Sequence, residues 1–161
     1  MKIGIIVHSQ TGNTFHVGQK IFERLQNEGH EVSLVRFQNV ADTNGKSKTM
    51  PLQLDSIPDV VGFDAVILGG WVEAFSLCPG FKQYLQQLNQ IESKIILCLL
   101  TQHFPHKWMG GSHALAQARK VLASKGCNMV NLGVINWTNK KREAQIEASV
   151  SKASDYFGRN K

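Results

Sequence analysis

Residues 9–14 read Ser-Gln-Thr-Gly-Asn-Thr, a run of three hydroxyls, two amides and one glycine with no Lys or Arg. They follow the apolar stretch Ile3–Val7 and precede a helical pattern, so they occupy a strand-to-helix turn. The N-terminus of a helix offers unpaired N–H groups and partial positive charge, which together favour an anion. Ser9, Thr11 and Thr14 add hydroxyl donors, and Gly12 allows the backbone to curl closely around a ligand. The chemistry expected of Ser9, Gln10, Thr11, Gly12, Asn13 and Thr14 is therefore a phosphate cradle that works without a cationic side chain. A helix cap alone needs only one or two such residues.

Two other phosphate loops are excluded. A dinucleotide fingerprint needs GxGxxG after the first strand, and only Gly12 stands there. Gly45-Lys46-Ser47 has the second half of a P-loop, but Val40 occupies the position of its first glycine.

Two further segments carry suitable residue types. After an apolar run at Ala65–Leu68 comes Gly69-Gly70-Trp71-Val72-Glu73-Ala74, ahead of Phe75 to Phe81. Its glycines permit close backbone approach, and Trp71 offers a flat face to an aromatic ring. After Ile95–Leu100 comes Thr101-Gln102-His103-Phe104, followed by His106, Lys107, Trp108, Gly110 and Gly111. His103 and His106 with Cys98 raise a metal reading. Two loop ligands and a strand cysteine make a poor set for a metal, so no metal site is assigned. Gly110-Gly111 opens another helix whose N–H groups could serve a second anion.

The positioning elements follow from hydrophobic periodicity. Apolar runs stand at Ile3–Val7, Val32–Phe37 (weaker), Ala65–Leu68, Ile95–Leu100 and Met129–Ile135, and the best of them do not alternate, as expected of strands buried on both faces. Helical patterns run over Phe15–Glu28, from Pro79 through Leu88, over Ala114–Lys125, and through Ile146, Val150, Ala153 and Phe157. Lys140, Lys141 and Arg142 would oppose the dipole of the last helix, so that helix is expected to start after them. Residues 38–59 read as a long loop. The β-α alternation predicts an α/β fold, one three-layer α/β/α domain over residues 1–161 with a parallel sheet. In such sheets ligands bind beyond the carboxyl ends of the strands, where all three segments above lie.

The 161-residue chain carries a formal charge of +6 and a pI near 9.4. Between Glu92 and Glu143 there is no acid, while eight Lys and Arg fall there. Spread over several elements with little aromatic interleaving, they read as a solvated basic half, and nucleic acid is not expected as a partner. Three widely spaced cysteines argue against a disulfide framework or a structural zinc site. No apolar run reaches the roughly 18 residues of a membrane span, and a cytoplasmic protein is expected.

The Ser9–Thr14 motif resembles the phosphate loop of flavodoxins, (S/T)-x-T-G-x-T, and the element order is similar over the whole chain. "SLCPGFKQYL" is similar to a stretch of the flavodoxin-like NAD(P)H-dependent reductases. The resemblance implies a five-stranded sheet of order 2-1-3-4-5 and FMN as cofactor, its phosphate on residues 9–14. It implies that Gly70, Trp71, Val72, Glu73 and Ala74 pack on the flavin. It implies that Thr101 and Gln102 bond the pyrimidine edge, and that His103, Phe104, Trp108, Gly110 and Gly111 complete the rim. Implied roles are electron transfer to or from a partner protein, or reduction of a quinone by NAD(P)H; a non-catalytic flavin-binding interaction module is the third. The flavin would carry the electrons, so no catalytic side chain is assigned. The chain departs from the acidic flavodoxins in being basic, with Glu73 the one acid in these loops.

Overall fold

The computed structural model describes residues 1–40 and 52–159. The Gly45-Lys46-Ser47 segment and half of the long loop predicted at 38–59 lie outside them. Among the described residues, six strands and four helices follow in the order β1 (Lys2–His8), α1 (Asn13–Asn27), β2 (Glu31–Phe37), β3 (Ala65–Glu73), β4 (Ser76–Leu77), α2 (Pro79–Gln87), β5 (Ile95–Gln102), α3 (Gly111–Ala123), β6 (Met129–Asn136) and α4 (Arg142–Arg159).

The parallel strands order as β2-β1-β3-β5-β6, and β4 pairs antiparallel with β3. Leaving out β4, this is the expected order. The central strands are apolar on both faces because each face is covered. Ile3, Ile5 and Val7 meet Val17, Ile21 and Leu25 of α1 and Ile146, Val150 and Phe157 of α4. On the other face, Ile6, Leu68 and Leu100 meet Phe81, Tyr84 and Leu85 of α2 and Ala114, Ala118 and Leu122 of α3. Two apolar layers therefore hold the sheet, and the carboxyl ends of its strands stay together at one edge.

Four boundaries differ from the sequence reading. Helix α1 begins at Asn13 and α3 at Gly111, each directly after a glycine in the left-handed region, Gly12 (φ +101°) and Gly110 (φ +113°). Helix α4 takes in Arg142, whose guanidinium turns back to the Trp137 carbonyl (3.1 Å) and lies over the Trp137 ring, while Glu143 puts an acid in the first turn. Strand β3 runs on to Glu73 and folds back through Ala74 and Phe75, both at positive φ (47° and 64°), into β4. A two-residue turn of that kind matches the twist of a hairpin and usually uses Asn or Gly. Beside the undescribed residues, the Val40 amide donates to the Gln53 carbonyl and the Gln83 side chain pairs with both backbone groups of Leu52.

Candidate functional site

The three loops at the carboxyl edge of the sheet enclose a cavity of about 550 Å³. Ser9, Gln10, Thr11, Asn13 and Thr14 line one end. Trp71, Val72 and Glu73 come from β3, and Thr101, Gln102 and His103 from the end of β5. Asn39 joins them from the end of β2, a position the sequence reading did not include.

The first loop is held from behind by its carbonyls. Arg36 donates from Nε to Ser9 O (2.9 Å) and from Nη2 to Gln10 O (3.2 Å), and Gln38 Nε2 adds a bond to Ser9 O. With these oxygens drawn to β2, the loop keeps its donors for the cavity. The Ser9 hydroxyl accepts from the Phe15 amide (3.2 Å), leaving its own proton available. The His16 amide starts the helix ladder on Gly12 O. The Asn13 and Thr14 amides have no acceptor among the described residues. Gly12 has open space where a side chain would begin, so the backbone itself can face a ligand. Hydroxyl, amides and helix terminus together make an anion site. Arg36 brings a positive charge to its back without contacting the cavity, a role invisible in the sequence because it lies 27 residues from Ser9.

Thr14 does something other than expected. It is buried, with Oγ1 2.8 Å from Thr101 Oγ1 and 3.4 Å from Gly70 O. Its hydroxyl ties the first loop to β3 and β5, so only its amide is left for an anion. The glycines of β3 also serve packing rather than a ligand. A Cβ on Gly70 would lie 2.4 Å from the Phe81 ring, and one on Gly69 2.8 Å from Val7.

Trp71 stacks on His8, with ring centroids 4.3 Å apart and planes 19° apart. His8 in turn stacks on Phe37 (4.7 Å). Its Nε2 pairs with Asn39 Oδ1 (2.9 Å), and its Nδ1 lies 3.8 Å from Cys78 Sγ. Burial lowers the His8 pKa to about 4, against the Asn39 bond, which raises it. Burial pushes the Cys78 thiol up to about 12. Both groups are neutral at pH 7 and form an uncharged base under Trp71.

At the third loop, Gln102 lines the cavity, and its buried Oε1 has no hydrogen-bond partner among the described residues. Its Nε2 donates to Asn136 Oδ1 and to the His106 carbonyl (2.5 Å each), bracing the loop against β6. Phe104 and Trp108 do not line the cavity. Phe104, 37% exposed, stacks on Phe75 of the β3–β4 turn (5.3 Å), and Trp108, 74% exposed, stacks on His106. Gly110 and Gly111 are also elsewhere: a Cβ on them would strike Phe75 and Val134 respectively. Ala74 sits in the turn, outside the lining.

No family model matches the sequence, and no curated protein matches it. Solved structures do. A flavodoxin of Streptococcus pneumoniae TIGR4 superposes with a TM-score of 0.67 at 16% identity, over 99% of both chains. The chain has a flavodoxin-like fold. An azoreductase of Bacillus anthracis shares that fold with a TM-score of 0.61 at 13% identity, over 97% of this chain and 98% of the other. So does a flavoprotein of Lactobacillus acidophilus solved in complex with FMN, with a TM-score of 0.52 at 19% identity, over 83% of this chain and 91% of that one. The flavodoxin-like fold places the cavity where open α/β sheets of this class hold their ligands.

Proposed function

We propose that this protein binds FMN in the cavity and passes electrons through it. The observation that carries the reading is the first loop, whose Asn13 and Thr14 amides and Ser9 hydroxyl are left for an anion at a helix N-terminus, with Trp71 on the same cavity. A volume of about 550 Å³ falls within the usual range for cofactor sites. Ser9, Thr11 and the Asn13 and Thr14 amides would hold the phosphate, and Trp71 would give the ring its apolar wall. Bound flavin supplies electron and hydride transfer, and the chain supplies position and electrostatics. The flavodoxin-like neighbours support the same reading.

A second reading is reduction of a quinone or related acceptor by NAD(P)H. Phe104 and Trp108 stand away from the cavity, which leaves access for a small acceptor that a covered site would refuse. The likeness to an azoreductase points the same way. The test is titration of the purified protein with FMN and riboflavin, followed by NADH and NADPH oxidation with a quinone. FMN bound more tightly than riboflavin is the expected result. Oxidation of a nicotinamide by the loaded protein selects the reductase, and its absence selects the electron carrier. Failure to bind either flavin overturns both.

A further inference from the structure

A second cavity, about 740 Å³, runs between α3 and β6. Lys107, Arg119 and Lys120 line it, and among the described residues no acid does. None of the three cations is in an ion pair among the described residues. They belong to the stretch between Glu92 and Glu143 that contains no carboxylate.

The amides of this groove are oriented by their neighbours. The Gly133 N–H donates to Asn131 Oδ1 (2.8 Å), and the Asn136 N–H donates to Gln145 Oε1 (2.8 Å). A backbone N–H can only donate, so both side-chain oxygens must face it. Asn131 and Gln145 are then left with their NH₂ groups, which have no acceptor among the described residues. Charged and neutral groups alike present donors. The floor between them is apolar, made by Leu115, Ala116, Ala123 and Val134.

Strand β6 is the edge of the sheet, yet it is a poor template for an added strand. Besides the two amides just named, its Leu132 carbonyl accepts from Ser149 Oγ (3.0 Å) and its Val134 carbonyl from Asn136 Nδ2 (3.4 Å). The edge is closed by the chain's own side chains. What the groove offers is a donor-rich rim, with no carboxylate on it, over an apolar floor. Ser112 and Arg119, seven residues apart on α3, set a span of about 10 Å. A bare inorganic anion would use the rim and leave the floor uncovered.

We propose that this groove is a separate site for a phosphate-bearing ligand of nucleotide size, with the phosphate on Arg119 and Lys120 and the base or ring on the apolar floor. Arginine suits the phosphate because its planar guanidinium can bond two oxygens at once. The site shares a wall with the flavin cavity through the Gln102–Asn136 pair, but none of its donors belongs to residues 9–14.

The probe is 2′,5′-ADP, added to the full chain saturated with FMN, with binding followed by calorimetry and by backbone amide NMR shifts. Shifts at Ala116, Ala123 and Gly133 are expected. Arg119→Gln and Lys120→Gln should each weaken binding about tenfold, whereas Lys20→Gln, on α1, should leave it unchanged. Several results would overturn the proposal: no binding, shifts confined to residues 9–14, an equal effect of Lys20→Gln, or inorganic phosphate binding as tightly. An acidic protein or an oligonucleotide that occupies the groove when 2′,5′-ADP does not would overturn it too. FMN affinity is measured in parallel, so a failed flavin reading is seen separately: the NMR shifts locate the nucleotide whether or not FMN binds.

Discussion

The ring of His8 lies under Trp71, 4.3 Å from centroid to centroid, and its far side rests on Phe37. The wall of the cavity is thus the top of a stack rooted in the core. His8 is fully buried with a pKa near 4. In the unfolded chain it returns to the ordinary value near 6.5. Between these values the unfolded state holds more protons than the folded one, so stability falls as pH drops from about 6.5 to about 4 and then levels off. The gap between the two values corresponds to about 3 kcal/mol. Denaturant unfolding at pH 7 and pH 4.5 should show most of that loss in the wild type and much less in His8→Phe. The same pH dependence in both proteins would exclude His8 as its source.

Trp71 should matter for the flavin ring and not for its phosphate. Trp71→Ala is expected to weaken riboflavin and FMN alike, by about 1 kcal/mol or roughly fivefold. Flavin emission in the bound state should rise with the quenching indole removed. An unchanged yield would leave Trp71 as a cover for His8 alone.

The strut formed by Thr14 and Thr101 separates stability from phosphate recognition. Thr14→Val keeps the shape and removes the buried bond, so it should cost about 1–2 kcal/mol of stability. Its effect on FMN and riboflavin should be equal. Ser9→Ala removes a proton that faces the cavity and should weaken FMN about tenfold relative to riboflavin. Paired titrations with the two ligands check this, and selective loss of FMN in Thr14→Val would return the Thr14 hydroxyl to the phosphate.

These contrasts show what was legible in the residue order. The five long strands were, because a run such as Ile95–Leu100 is apolar on both faces and has to be covered twice. The first loop was, because its chemistry is contiguous. His8 and Arg36 were not: each acts on residues far away in sequence, and a lone His or Arg at a strand end carries no spacing signal. The β3–β4 hairpin was missed because Ala74 and Phe75 take positive φ without the Gly or Asn that would announce it. A ligand role reads onto Gly70 because a sequence does not show the Phe81 ring behind it. Phe104 and Trp108 were placed near the right loop, but their rings find partners outside the cavity.

The last prediction concerns redox balance. The Trp71 carbonyl accepts from the Cys78 amide (3.0 Å), and Val72 is paired with Leu77 in the hairpin. The peptide between Trp71 and Val72 is therefore held in place, and turning it would break a backbone bond. A flavin beside a peptide that cannot turn gains little extra stabilisation at the one-electron stage, so its two one-electron potentials should lie close together. Val72→Gly alone should not separate them, since the Cys78 amide still holds the carbonyl. Among the described residues Glu73 is the one acid lining the cavity, and it should oppose the negative charge of reduced flavin. A unit charge about 8 Å away, at an effective dielectric of about 20, is worth about 2 kcal/mol. Exposure and salt reduce this to about 0.5–1 kcal/mol, or some tens of millivolts on a one-electron scale. Glu73→Gln should raise the midpoint potential by that amount, more at low salt than at high. Spectroelectrochemical titration of the three proteins decides. Strong accumulation of one-electron-reduced flavin in the wild type, or wide separation of the potentials in Val72→Gly, would show that the peptide turns despite the Cys78 bond.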